Sequence, residues 1–103
     1  MGQKDVKQAL KRDLKALSDA ELLVISADEP SAFEEIVTRY QRAFVRKAMS
    51  ILRDENDAYD AVQDVFVRIY TAARKFRTQE GASFSSWAYK ILVNQCYTSY
   101  KKK

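Results

Sequence analysis

The chain has 103 residues, 47% of them apolar and 31% charged, which is the size of one compact domain and leaves no room for a second large one. A lone cysteine, Cys96, and the absence of histidine exclude zinc fingers, Cys/His nucleophilic pairs and Ser/His/Asp triads, so neither an enzyme nor a bound metal or cofactor is expected. The net charge of +4 is sorted into blocks, with residues 1–17, 18–38, 39–53, 54–64 and 65–103 carrying +3, −6, +5, −5 and +7.

Only Gly2, Gly81 and Pro30 break the backbone pattern, and no alternation of strands and helices occurs. The expected class is therefore all-α, a small bundle of four to five helices. Val6, Leu10, Leu14 and Leu17 recur at helical spacing over about residues 4–17, an N-terminal amphipathic extension to a domain spanning 18–103. Ser18 with Glu21 reads as a capping box opening a short helix that carries Leu22, Leu23 and Ile25. Ser31 with Glu34 reads as a second one, just after Pro30. It opens a long helix to about Leu52, with Phe33, Ile36, Val37, Tyr40, Phe44, Ala48 and Ile51 on its inner stripe. On the same helix Arg39, Arg42, Arg46 and Arg53 read as an outer, solvated face balancing nearby acids.

Residues 53–56 form a polar turn, after which Asn56 or Asp57 is expected to cap the next helix. Ala58, Ala61, Val62, Val65, Phe66, Ile69, Tyr70 and Ala73 make its buried stripe. Asp60, Gln63, Asp64, Val67, Thr71 and Arg74 share the opposite face at steps of three and four. Two carboxylates one turn apart could suggest acid–base or di-metal chemistry, but the converging ligands and histidines of such sites are missing. A solvated face and an acidic docking patch remain as readings. Residues 78–83 form a loop around Gly81, and a final helix starts near Ser85. Trp87, Ala88, Ile91 and Leu92 face inward on that helix, while Lys90, Asn94, Tyr97 and Lys101 line a second face. Lys75, Arg77, Lys90 and three terminal lysines are interleaved with aromatic residues. Cations neutralise phosphates and rings stack on unpaired bases, so the mixture suits single-stranded nucleic acid. Phe84 and Trp87 also read as core residues, whereas Tyr97 and Tyr100 are harder to place inside.

The longest apolar run, residues 22–25, is far shorter than the roughly 20 residues that span a bilayer. The charged N-terminus is neither a secretory signal nor a myristoylation site. A cytoplasmic location is expected.

Three pieces in order carry a resemblance: Asp57-Ala-Tyr-Asp60-Ala-Val-Gln63-Asp64-Val-Phe66, then Arg74-Lys75-Phe76-Arg77, then Phe84-Ser85-Ser86-Trp87-Ala88-Tyr89-Lys90-Ile91 with Asn94. The ordered set resembles region 2 of a bacterial sigma factor of the sigma-70 family, most closely the extracytoplasmic-function group, over about residues 18–101. The resemblance implies an initiation subunit that binds core RNA polymerase and recognises and melts the promoter minus-ten element through the non-template strand. It assigns docking on the beta-prime coiled coil to Asp57, Asp60, Gln63, Asp64 and Val67. DNA contact falls to Lys75, Phe76, Arg77, Ser83, Ser85, Lys90, Asn94, Tyr97 and Lys101, with an unstacked base in the loop. Lys90 and Ile91 stand where housekeeping members carry adjacent tryptophans, which implies greater dependence on promoter sequence. Thr98 and Lys101 stand where the group commonly has Asp and Arg. An anti-sigma factor is a further implied partner, a small-molecule substrate is not, and the absence of region 4 implies a region 2 fragment. A helical protein-binding adaptor without DNA function is the competing reading.

Overall fold

The computed structural model describes residues 13–73 and 83–102. Among them are four helices, α1 (Asp19–Ser26), α2 (Pro30–Leu52), α3 (Glu55–Thr71) and α4 (Phe84–Lys101). Residues 13–15 are helical too, and no strand occurs among the described residues, so the all-α class holds. Val6 and Leu10, the segment Arg74-Lys75-Phe76-Arg77 and the loop residues 78–82 lie outside the described residues.

Each helix begins where a side chain or a proline deals with the unpaired N–H groups of a first turn. Ser18 caps α1 as expected: its Oγ accepts from the Glu21 N–H at 3.2 Å, and Glu21 Oε1 accepts from the Ser18 N–H at 3.1 Å. Those bonds to Ser18 hold the Glu21 carboxyl below its ordinary pKa. Leu22 and Leu23 are fully buried, while Ile25 lies at the surface.

Helix α2 departs from the second expected capping box. Pro30 occupies its first position, where a missing N–H costs nothing, and Glu29 precedes it without a side-chain cap. Ser31 is already inside the helix and donates to Glu29 Oε1 at 2.8 Å. At the other end Arg53 adopts φ 58°, a left-handed conformation that turns the chain at once. The expected polar turn therefore shortens to Arg53 and Asp54. Asp54, not Asn56 or Asp57, caps α3, its Oδ1 accepting from the Asp57 N–H at 2.9 Å. Helices α2 and α3 form an antiparallel pair in which Phe33 meets Tyr70 and Phe66 edge-on, with centroids 5.0 and 6.3 Å apart. That contact explains Tyr70, expected in the buried stripe but 41% exposed: one edge packs on Phe33 while the rest stays in solvent.

Ser83 caps α4, its Oγ accepting from the Ser86 N–H at 3.1 Å, so the helix begins one residue before the expected Ser85. Phe84, Ala88, Leu92, Gln95 and Cys96 turn inward, with Trp87 and Ile91 partly buried beside them. Phe44 is the hub of the core. Fully buried, it stacks on Phe66 at 5.3 Å and touches Tyr40 at 5.3 Å and Tyr89 at 5.1 Å, which ties α2 to α3 and α4.

Arg39 is not part of a free outer face. Its guanidinium donates to Asp19 at 3.0 Å, Glu35 at 3.3 Å and the carbonyls of Leu14 and Lys15 at 3.2 Å each. The Tyr40 hydroxyl donates to the other oxygen of Asp19. These neighbours clamp α1 and the segment before it onto α2. No described helix is long and apolar enough to cross a membrane.

Candidate protein and nucleic-acid interfaces

Helix α3 packs through alanine, valine, isoleucine and phenylalanine spaced three and four apart, and the same period decides what is left outside. At about 100° per residue, Asp60, Gln63, Asp64, Val67 and Thr71 fall within an arc of about 100°. All five are exposed, whereas Ala58, Ala61, Val62, Val65, Phe66 and Ile69 on the opposite arc are buried. Asp57 sits half-buried on the shoulder of the outward face.

Asp60 and Asp64 are one helical turn apart, about 6 Å along the axis, a spacing at which like charges destabilise a helix by a few tenths of a kcal/mol. Neither carboxylate has an ion-pair partner among the described residues. Val67, 62% exposed, places an aliphatic side chain within the anionic patch. An anionic face around one exposed apolar residue is compatible with solvation and also has the charge that contact with a basic protein surface would require. No group of three described His, Cys, Asp or Glu residues could hold a metal ion.

Helix α4 presents the second surface. Lys90, Asn94, Tyr97 and Lys101 occupy an arc of about 60° along roughly 16 Å of helix, and all four are exposed. Tyr97 is 55% exposed, which removes it from the core and leaves ring area available for stacking. Phe84 is buried and Trp87 mostly so, as the core reading of those two expected.

Two other residues predicted for DNA contact also serve the fold. Ser83 caps α4 and its hydroxyl donates to Ser86 Oγ at 3.1 Å. Ser85 is half-buried, and its hydroxyl bonds that of Tyr40. Burial, and then the Asp19 carboxylate, push the Tyr40 phenol up to about 12, with Ser85 acting in the opposite sense. Lys75, Phe76 and Arg77 lie outside the described residues, so α4 is the part of the predicted DNA surface that can be placed.

Between α2 and α3 lies an open groove of about 520 Å³ bordered by Arg42, Val45, Arg46 and Tyr59. Periodicity within one helix does not announce such a feature, because its walls belong to two.

The sequence has recognisable relatives. Residues 36–103 match the sigma-70 region 2 family model. The ECF RNA polymerase sigma factor SigM of Mycobacterium tuberculosis is 39% identical over 80 residues, covering 77% of this chain and 40% of that protein. The ECF RNA polymerase sigma-E factor of Haemophilus influenzae is 31% identical over 70 residues, and the RNA polymerase sigma-H factor of Pseudomonas aeruginosa 27% over 70, each covering 68% of this chain and 35% of the relative. The chain thus spans about two-fifths or less of the curated relatives it matches. No solved structure gives a significant match. The family match covers most of the chain, including all of α3 and α4, and on that basis the protein belongs to the sigma-70 region 2 family, whose members are not enzymes.

Proposed function

We propose that the chain is the region 2 domain of an RNA polymerase sigma factor, binding core polymerase through α3 and the opened promoter strand through α4. The observation that carries this reading is the separation of unpaired charge. The outward face of α3 holds exposed Asp60, Gln63, Asp64 and Val67, and the outward face of α4 holds exposed Lys90, Asn94, Tyr97 and Lys101.

In this reading Asp57, Asp60, Gln63, Asp64 and Val67 meet the beta-prime coiled coil. Carboxylates steer the encounter with its basic groups, and Val67 is desolvated at the centre of the contact. On the DNA side Lys90 and Lys101 neutralise phosphates, Tyr97 offers a ring to an unpaired base, and the Asn94 amide can read a base edge. Lys75, Phe76, Arg77, Ser83 and Ser85 complete the capture of the non-template minus-ten strand. The domain works by binding energy alone: single-strand contacts favour the open promoter over the duplex by mass action. Its place of action is the cytoplasm, and an anti-sigma factor covering the α3 face controls it, since one anionic surface cannot serve two partners at once.

Co-purification with core RNA polymerase tests the first half. Asp60→Lys with Asp64→Lys is expected to abolish association while leaving the circular dichroism spectrum unchanged; retained association would remove the α3 assignment. For the second half, Lys90→Ala is expected to weaken binding of a minus-ten single strand and reduce the salt slope by about 0.7. Absence of oligonucleotide binding even inside a polymerase complex would favour an adaptor without DNA function.

A further inference from the structure

Helices α2 and α4 lie side by side, and the seam between them is open at two adjoining places. One groove, of about 310 Å³, is bordered by Arg46, Lys47 and Ser50 of α2 and by Tyr89 of α4. The next, of about 420 Å³, is bordered by Ser50 and Arg53 at the end of α2 and by Tyr97 and Tyr100 of α4. Ser50 belongs to both, so the two grooves form one path. The helices must run parallel, because later residues of α2 face later residues of α4.

The chemistry along this path is one-sided. Every charged residue bordering it is a cation, and no carboxylate borders either groove. Arg46, Lys47 and Arg53 are exposed and make no ion pair among the described residues. Burial raises the pKa of the Cys96 thiol, and the charge of Lys47 acts in the opposite sense. The other wall is aromatic: Tyr97 is 55% and Tyr100 58% exposed, and Tyr89 stands half-buried on Phe44. Arg53 occupies a left-handed backbone position that favours glycine, so its side chain is present at a cost to the fold. Tyr97 belongs both to the outward face of α4 and to the seam, so a strand lying on that face can continue into it.

We propose that the α2–α4 seam is a binding groove for single-stranded nucleic acid, in which Arg46, Lys47 and Arg53 hold phosphates and Tyr89, Tyr97 and Tyr100 take bases. The inference rests on the reading of α4 as a strand-capturing helix and extends it to the arginine face of α2, whose Arg46 and Arg53 the sequence reading leaves to solvent. A cationic wall alone would accept duplex as readily. Exposed rings favour a single strand, because base faces are available only when the strand is unpaired.

The test uses the 103-residue chain, a labelled thymidine oligonucleotide of about 12 nucleotides and a duplex of equal length, with fluorescence anisotropy over a range of salt. Combined Arg46→Ala, Lys47→Ala and Arg53→Ala is expected to reduce the single-strand salt slope by about 2. Tyr100→Ala is expected to weaken single-strand binding about tenfold with little change in slope. Arg53→Gly is expected to weaken binding while raising Tm, a combination that loss of fold cannot produce. A wild-type slope in the triple variant, or duplex binding as tight as single-strand binding, overturns the seam. If the triple variant binds normally while Lys90→Ala binds poorly, the seam fails and the α4 reading stands. If the unaltered chain binds no oligonucleotide, the seam fails, and the α4 reading is decided separately in the polymerase complex.

Discussion

Asp19 joins α1 to α2 through two hydrogen bonds, and its removal has a magnitude that can be worked from the structure. One carboxylate oxygen accepts from Arg39 at 3.0 Å and the other accepts the Tyr40 hydroxyl, with the Asp19 and Arg39 side chains 27% and 24% exposed. A hydrogen bond to a charged group contributes about 1.5–3 kcal/mol when shielded and less at the surface. In Asp19→Ala, Arg39 keeps Glu35 and two backbone carbonyls, and Tyr40 keeps Ser85, so no buried charge is stranded. These considerations put the loss at about 2–3 kcal/mol, including the small benefit of an acid in the first turn of α1. For a domain of this size the fall in Tm is about 10–20 °C. Urea and thermal unfolding followed by circular dichroism give the value. A second readout is spectroscopic: with one of its causes removed, the Tyr40 phenol is expected to titrate below its present value of about 12, though still above 10 because burial persists. A loss of about 0.5 kcal/mol or less, the range of an exposed ion pair, together with an unmoved tyrosine titration, would refute the clamp.

Two further outcomes follow from the same core. Because the folded state raises the Tyr40 pKa from 10 to about 12, folding favours the neutral phenol; its contribution is complete below pH 10 and is lost as pH rises towards 12. Unfolding free energies measured across that window should fall more steeply for the unaltered chain than for Tyr40→Phe, and parallel curves would contradict the assignment. Phe44→Ala empties the place where rings from three helices meet, and an expected loss of about 3–5 kcal/mol would show in the urea midpoint. A loss near 1 kcal/mol would mean that Phe44 is not the hub.

The outward and inward faces of α3 followed from periodicity because one period governs both: fixing Ala61, Val65 and Ile69 inside leaves Asp60, Gln63 and Asp64 outside. Helix starts were harder. Asp54, Asn56 and Asp57 are all competent caps, and the choice among them depends on where the left-handed Arg53 lets the chain turn, which composition does not state. Ser31 resembled a cap, but Pro30 before it already supplied a suitable first residue. Contacts distant in sequence were out of reach as well. Arg39 and Asp19 are 20 residues apart, and nothing local separates an arginine that clamps a neighbouring helix from one that faces solvent. The α2–α4 seam was hidden for the same reason, since Arg46 and Lys47 become neighbours of Tyr89 only after the helices pack.

A photoreactive amino acid in place of Val67 bears most directly on the division of labour between α3 and α4. Val67 is 62% exposed beside Asp64 and Gln63, so the replacement leaves the core intact and sits within the face assigned to the polymerase. On irradiation with core RNA polymerase and promoter DNA, the expected product is a crosslink to the beta-prime subunit. A crosslink to DNA, or none to any polymerase subunit from a chain that retains its helical spectrum, would contradict the assignment.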